Sequence, residues 1–417
     1  MKEKSYKIAT LGCRTNQYES EAWRSQLTAL GYVEAKEGEE AEICIVNTCT
    51  VTESADQRSR LQIRQMAKEN EGTRLFVTGC LAERAPKELS QIVGVEKVVS
   101  NLEKENLLKD VFGNGDEFPD FVIDGFKAHT RAFVKVQDGC NSYCSYCTIP
   151  FVRGRSRSRD IESIVKEIEG LVANGYKEVV LTGINIGDFD GGGNETLANL
   201  VRIVDQIEGI ERIRISSIDP DEIDDALLDA VILGKKTCHS MHMVLQAGSN
   251  AILKRMNRKY TKQEYLYSVD RLKSASKDFA FTTDVIVGFP GETDADFEET
   301  LELIEEVQFA KVHMFPFSVR PKTRAARFTD VVPKEIIHKR KEIVLRASEK
   351  VAYALRENFI GRRMDVLLEE EKEGMFFGHT GNFLGVFVKG ENLSSNQIVS
   401  VQLLENTPSG LVGRICD

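Results

Sequence analysis

Asp138-Gly139-Cys140-Asn141-Ser142-Tyr143-Cys144-Ser145-Tyr146-Cys147-Thr148-Ile149-Pro150 places three thiols within eight residues, at the spacing C-x3-C-x2-C. Thiols this close in the chain can converge on a metal without help from distant segments. Three of them fall one short of the four ligands that tetrahedral zinc or a cubane 4Fe-4S cluster takes. A zinc knuckle or a set of buried free thiols is the plainer alternative, but no fourth Cys or His follows at zinc spacing. A 4Fe-4S cluster held by only three thiolates has one iron free to bind a small molecule, which makes the stretch a candidate centre of chemistry.

Working outward, Ala132-Phe133-Val134-Lys135-Val136 reads as a strand leading into this loop, and strand-like and helix-like segments then alternate five more times. Strands are expected at 178–181, 213–216, 243–245, 281–287 and 312–315, with helices such as 161–174 and 297–307 between them. Six βα units form a partial barrel, whose chemistry collects at the carboxyl ends of its strands. Those ends carry Thr182-Gly183-Ile184-Asn185, Ser216-Ser217, Gln246-Ala247-Gly248-Ser249 and Gly288-Phe289-Pro290-Gly291-Glu292. His239 and His242 follow Cys238 and read as lumen-facing residues, not as a third metal site.

Upstream, three apolar runs each end in a cysteine: 7–11 before Gly12-Cys13, 43–46 before Asn47-Thr48-Cys49, and 75–78 before Gly79-Cys80. Helical patterns at 19–30, closed by Gly31, and 52–70 separate them, giving β-α-β-α-β. In an open parallel sheet the strand ends share one edge, so Cys13, Cys49 and Cys80 are expected to meet although they lie 36 and 31 residues apart. Cys44, inside its strand, reads as a small core residue. Residues 113–120 read as the linker out of this unit. Downstream, short β-rich segments at 364–368, 385–388 and 398–404 suggest a small barrel. The expected domains are therefore 1–125, 126–355 and 356–417.

Composition bounds the function. With 417 residues, 41% hydrophobic and 29% charged, the chain has material for several globular cores. No apolar h-region follows Met1-Lys2-Glu3-Lys4 and no run of 18 apolar residues occurs, so neither secretion nor membrane insertion is indicated and the cytoplasm is expected. Nine cysteines, six of them in two metal-like sets, suit a reducing compartment. A net charge of −10 argues against indiscriminate nucleic-acid binding. Basic residues are nevertheless segregated, in Arg153-Gly154-Arg155-Ser156-Arg157-Ser158-Arg159 and in 320–363, where thirteen Lys or Arg meet five Asp or Glu. Such patches can hold RNA phosphates beside a site, or can be solvated helix faces; an arginine of the first run can instead contact a cofactor.

The Cys140/Cys144/Cys147 loop resembles that of radical S-adenosylmethionine (SAM) enzymes. Leu11-Gly12-Cys13-Arg14-Thr15-Asn16, Val46-Asn47-Thr48-Cys49 and Val77-Thr78-Gly79-Cys80 resemble the N-terminal domain of radical SAM methylthiotransferases. Gly378-His379-Thr380-Gly381-Asn382-Phe383 and Val386-Phe387-Val388 resemble the TRAM domain, an oligonucleotide-binding-like (OB-like) barrel. The resemblance spans essentially the whole chain. It implies an α/β protein with an open parallel N-terminal domain, a partial (β/α)6 radical SAM barrel and a small C-terminal β-barrel. Two 4Fe-4S clusters are implied, an auxiliary one on Cys13, Cys49 and Cys80 and the SAM-cleaving one on Cys140, Cys144 and Cys147. SAM contacts are implied for Tyr146, Thr182, Gly183, Asn185, Ser216, Gln246 and the strand end at Gly288. No catalytic residue beyond the cluster ligands is implied. Phe376, Phe377 or Phe383 can stack on unpaired bases or belong to the core, and residues 358–417 are more acidic than basic, eight against five.

The implied reaction cleaves SAM reductively to a radical that abstracts hydrogen from an unreactive carbon, where a methylthio group is then added. Lys135-Val136-Gln137-Asp138-Gly139-Cys140-Asn141, Leu181-Thr182-Gly183-Ile184-Asn185-Ile186-Gly187 and Arg214-Ile215-Ser216-Ser217-Ile218-Asp219-Pro220 look most like the branch acting on C2 of N6-threonylcarbamoyladenosine, next to the anticodon in tRNA. Other branches act on isopentenyl-adenosine in tRNA or on an aspartate of a small-subunit ribosomal protein. The partners implied are the tRNA anticodon arm and an electron donor such as flavodoxin or ferredoxin, with the sulfur source open. An arginine or lysine at the mouth of the site is expected to read the threonyl carboxylate. The non-enzymatic alternative is a zinc-containing RNA-binding protein.

Overall fold

The computed structural model describes residues 4–113, 118–126 and 129–416. Its first sheet contains β1 Ser5–Thr10, β2 Val33–Glu34, β3 Ile43–Thr48, β4 Arg74–Gly79 and β5 Val95–Val98, parallel and in the order β2-β1-β3-β4-β5. The central strand β3 is buried at every position because both faces are covered. Ile43 and Ile45 pack with Tyr6, Trp23 and Phe76 on one face, and Cys44 and Val46 with Ile63, Met66 and Val77 on the other. Cys44 is the core residue its place in the strand suggested. β2 and β5 are edge strands too short to show a pattern in sequence. The helix Glu53–Glu69 matches its periodicity, with Thr52 Oγ1 accepting from Ala55 N at 3.1 Å. The helix Arg14–Ala29 starts well before the apolar pattern does, directly after Cys13. Its first turn is polar and buried at Thr15 and Asn16, so no apolar stripe announces it. Of the expected linker, residues 114–117 lie outside the described residues.

The middle of the chain contributes β6 Arg131–Lys135, the antiparallel pair β7 Gln137–Asp138 and β8 Arg157–Ser158, then β9 Glu178–Thr182, β10 Arg212–Ile215, β11 Ser240–His242, β12 Ala280–Val287 and β13 Lys311–Pro316. These make two parallel three-stranded sheets, β6-β9-β10 and β11-β12-β13. Parallel bridges Ile213↔Thr237 and Ile218↔Met243 connect them. The expected strand at 243–245 is displaced: β11 lies just before it, and the polar Ser240 and His242 disguise it. The two histidines also part company. His242 lines the lumen beside Arg14, whereas His239 turns away, with Nδ1 2.9 Å from Ser276 Oγ and its ring stacked on Phe279. Alternation along a strand separates positions an odd number apart, so only one of the two can face inward.

After the helix Lys334–Glu357, the strands β14 Arg363–Lys372, β15 Met375–Thr380, β16 Gly385–Lys389, β17 Ile398–Thr407 and β18 Gly410–Ile415 close in the order β14-β15-β16-β18-β17. Val366, Leu368, Val386, Val388, Val401, Leu403 and Leu411 fill the interior. This barrel docks on the central sheets through Arg212, which donates to His379 O at 2.9 Å and Asp365 O at 2.7 Å. Phe383 lies under the guanidiniums of Arg214 and Arg131, at 4.9 and 5.3 Å, and stacks on His379. Phe383 is therefore an interface residue, not a platform for bases. Phe376 packs against the barrel core and Phe377 against Phe387.

Candidate active site

Both ends of the Cys140 loop are pinned by the β7/β8 pair. Gly139 precedes the first cysteine with φ +74°, and a Cβ there would lie 2.0 Å from Arg155 O, so only glycine lets the two arms approach. Cys140 N donates to Gly154 O at 3.2 Å, and Cys147 N to Cys144 O at 3.0 Å. Ser145 anchors the middle, with Oγ donating to Arg255 O at 2.7 Å and N to Met256 O at 2.8 Å. Arg258 Nη1 reaches Cys144 Sγ at 3.0 Å, while its Nη2 donates to Asp219 Oδ1 and its Nε to Tyr260 OH. Burial pushes the Cys147 thiol well up, and the neighbouring Cys144 and Cys140 add to the shift.

The second thiol set stands at the carboxyl edge of the first sheet, where Cys13, Cys49 and Cys80 follow β1, β3 and β4. Gly79 has φ +93° and a Cβ there would lie 2.5 Å from Thr48 N and O, which fixes glycine before Cys80. A Cβ on Gly12 would lie 2.9 Å from Cys49 Cβ, so the turn before Cys13 lies against Cys49. Asn16 Nδ2 ties this edge together, donating to Leu11 O at 2.6 Å and Thr48 O at 3.1 Å. Burial pushes Cys49 up to about 11, with Cys80 and Cys13 adding to it.

The two sets are joined through protein. Asn101 Nδ2 donates to Val152 O at 2.6 Å, just after the cysteine loop, and lies 3.8 Å from Cys80 Sγ. Arg153, fully buried, donates from Nη1 to Asp138 Oδ1 at 2.8 Å and Glu19 Oε1 at 3.1 Å, and from Nη2 to Asn16 Oδ1. Lys104 Nζ adds a contact to Glu19 Oε1 at 2.5 Å. Burial opposes the charge of Glu19, yet Arg153, Lys104 and Lys135 hold its carboxylate down to about 2. Three of the four arginines of this run are thus paired with carboxylates of the protein. Arg157 pairs with Asp138 at 2.9 Å and Arg159 with Glu167 at 2.6 Å, while Arg155 is exposed. In the second run Arg320 is buried on Asp56 and Arg340 on Glu292, so the RNA-facing share of both runs is smaller than their composition suggests.

The strand ends converge on the Cys140 loop. Gln137 Oε1 accepts from Ile184 N and Asn185 N at 2.9 and 3.0 Å, while its Nε2 donates to Gly139 O at 2.8 Å, so one side chain stitches the Thr182–Asn185 turn to the cysteine loop. Gly183 is needed beside it, since a Cβ would lie 2.8 Å from Gln137 Oε1. Asn185 Nδ2 donates to Glu222 Oε1 at 2.7 Å. Burial and the nearby Asp219 push Glu222 up to about 7. Gln246 is held at φ +65° by backbone bonds to Asp284 O and from Ile286 N, at 2.8 and 2.9 Å. Tyr146 reaches the Gly288 strand end edge-on to Phe289, with ring centroids 6.4 Å apart. Sequence reasoning missed Gln137, Arg153, Asp219, Glu222 and Arg258; only the box-like spacing of Asp219 and Glu222 signals anything locally, a helix start.

The donor set suits the implied groups. All nine cysteines are free of disulfides; Cys13, Cys49 and Cys80 follow three neighbouring strands, and Cys140, Cys144 and Cys147 share one loop. Ser216 Oγ and Gln246 Oε1 are buried with no hydrogen-bond partner among the described residues, on strand ends beside one triad, as polar atoms awaiting a polar ligand would be. Among the described residues no group of three or more His, Cys, Asp or Glu is drawn together as a formed ion cage.

A parallel α/β core with three thiols on the loop after its first strand, and unsatisfied polar atoms at its later strand ends, has the make-up of a radical SAM protein. The radical SAM superfamily model matches residues 134–304, and an uncharacterized protein family, UPF0004, matches residues 5–100. The chain is 46% identical over 413 residues to the threonylcarbamoyladenosine tRNA methylthiotransferase MtaB of Chlamydia pneumoniae, covering 99% of this chain and 98% of that one. It is 35% identical over 437 residues to a tRNA-2-methylthio-N(6)-dimethylallyladenosine synthase of Caldicellulosiruptor saccharolyticus, covering 99% and 93%. Among solved structures, the radical SAM methyltransferase TsrM of Kitasatospora setae, with cobalamin and a [4Fe-4S] cluster bound, superposes with a TM-score of 0.55 at 13% identity over 78% of this chain and 77% of that one, a likeness of fold alone. The chain belongs to the MtaB family of radical SAM tRNA methylthiotransferases. Membership implies iron-sulfur and SAM chemistry. Among the described residues no helix is long and apolar enough to cross a membrane.

Proposed function

We propose that this protein adds a methylthio group to C2 of N6-threonylcarbamoyladenosine beside the tRNA anticodon. The observation that carries the reading is the approach of two thiol triads across one interface, with Asn101 touching Cys80 on one side and the cysteine-loop helix on the other. In this reading the domains are 1–125, a partial (β/α)6 barrel at 126–355 formed by the two bridged sheets, and an OB-like TRAM barrel at 356–417. Cys13, Cys49 and Cys80 hold an auxiliary 4Fe-4S cluster, and Cys140, Cys144 and Cys147 hold the SAM-cleaving one. When bound, the clusters and SAM supply the one-electron chemistry that an unactivated aromatic C–H bond requires.

The chain's own residues position and insulate that chemistry. Arg258 donates to Cys144 and is itself fixed by Asp219 and Tyr260. Gln137 sets the distance between the cysteine loop and the Thr182, Gly183 and Asn185 turn. Ser216 and Gln246 offer unpaired polar atoms, and Tyr146 closes the site against the Gly288 strand end. Arg153 and Asn101 hold the two triads in one frame. Partners in this reading are the tRNA anticodon arm and a flavodoxin or ferredoxin, in the cytoplasm, where thiols stay reduced.

The test is anaerobic reconstitution followed by incubation with SAM, reductant, sulfide and an anticodon stem-loop carrying threonylcarbamoyladenosine. The reading expects a brown protein and the 2-methylthio product, with Cys49→Ala retaining SAM cleavage but forming no product. A colourless zinc-loaded protein, or product only from isopentenyl-adenosine RNA or from ribosomal protein, would overturn it.

A further inference from the structure

A small, half-open cavity of ≈ 20 Å³ lies in the lumen, walled by Arg14, Arg214, His242, Ser240, Thr282 and Phe383. Arg214 is two residues below Ser216 on the same face of its strand, so the cavity sits directly beneath the strand ends described above. Arg14 enters from the other side, as the residue after Cys13 and the first of the helix Arg14–Ala29. The cavity therefore lies between β10 and the start of the helix that follows Cys13.

The charges around it are unequally satisfied. Arg214 is bonded to Glu178 at 2.9 Å, Arg131 to Glu369 at 3.0 Å, and His242 lies 3.4 Å from Asp284. Arg14 has no hydrogen bond or ion pair among the described residues and lies over the Phe133 ring, 5.5 Å from its centroid. A half-buried guanidinium with no hydrogen-bonded carboxylate has its fork free for a ligand, and a planar carboxylate is the group that matches it.

We infer that Arg14 reads the carboxylate of the amino-acid substituent on the target adenosine, which reaches the mouth of this cavity while the base stays at the strand ends. This rests on the substrate reading above and names the residue that enforces it. An uncharged isopentenyl substituent would leave the half-buried Arg14 without its carboxylate, so the residue also selects against that substrate. A lysine at this position would keep the charge and lose the bidentate geometry.

The test measures equilibrium binding, by fluorescence anisotropy, of three labelled anticodon stem-loops to the reconstituted full chain: threonylcarbamoyladenosine, its methyl ester and unmodified adenosine. The wild type is expected to prefer the free acid over the ester by about 10- to 100-fold, the range of a charged hydrogen-bond pair. In Arg14→Gln that ratio falls to about one, and in Arg14→Lys it is intermediate. Iron content and thermal melting show that each variant is folded, and Arg14→Lys carries the test if Arg14→Gln fails to load iron. An undiminished ratio in the variants would overturn the assignment of Arg14. A wild type indifferent to the threonylcarbamoyl group altogether would instead overturn the substrate reading beneath it.

Discussion

Arg153 and Asp138 form a buried ion pair, with Nη1 2.8 Å from Oδ1 and neither side chain more than slightly exposed. The same guanidinium bonds Asn16 and Glu19 of the other domain, so the pair fastens the cysteine loop to the edge that carries Cys13. Removing one partner of such a network leaves uncompensated charge in the interior. Arg153→Met is expected to destabilise the protein by about 3–5 kcal/mol, against less than about 0.5 kcal/mol for the exposed Arg155→Ala. Anaerobic denaturant titration of the two variants checks the contrast, and equal midpoints would contradict it.

Arg258 Nη1 is 3.0 Å from Cys144 Sγ. A cationic donor on a ligating thiolate favours the reduced form of a cluster, because it offsets the added negative charge. Arg258→Met is therefore expected to shift the midpoint potential of the Cys140/Cys144/Cys147 cluster to more negative values. The measurement is an EPR redox titration in a background where Cys13, Cys49 and Cys80 are alanine. An unchanged potential would remove Arg258 from this role.

Glu222 has its pKa raised from 4.5 to about 7 by burial and by Asp219. Between those values the folded state binds more protons than the unfolded one, so this residue makes stability fall as pH rises from about 4.5 to 7, by on the order of 2 kcal/mol. Below that window it adds nothing, and above it the full cost stands. Glu222→Gln should flatten this slope, although the bond from Asp219 N to Glu222 Oε2 at 3.2 Å is lost with it. Denaturation midpoints of both proteins from pH 5 to pH 8 give the answer; parallel curves would refute the shift.

Phe383 is clamped by Arg131, Arg214 and His379 at the junction of the C-terminal barrel and the central sheets. Phe383→Ala should loosen docking by about 2 kcal/mol, from lost cation-π and stacking contacts. Hydrogen exchange along β15 should accelerate while the barrel stays folded. Unaltered exchange there would mean that the polar contacts of Arg212 and Arg131 hold the barrel in place without Phe383.

What was legible in the sequence was whatever is local or periodic. The cysteine triplet is read from eight consecutive residues, and the strand-end cysteines from apolar runs that stop at them. Elements whose residues face the site were obscured, because polar side chains there break the pattern. Thr15 and Asn16 hide the start of their helix, and Ser240 and His242 hide β11. The fate of Arg153 was also illegible, since its partners Glu19 and Asp138 come from segments that meet only in the folded chain. An arginine-rich run looks the same whether it meets RNA or buried carboxylates.

The most direct test of the central claim is mass spectrometry of tRNA nucleosides from cells lacking this gene, with and without complementation by the wild type. The account predicts loss and recovery of 2-methylthio-threonylcarbamoyladenosine. An unchanged nucleoside profile, or loss of the isopentenyl derivative in its place, would contradict it.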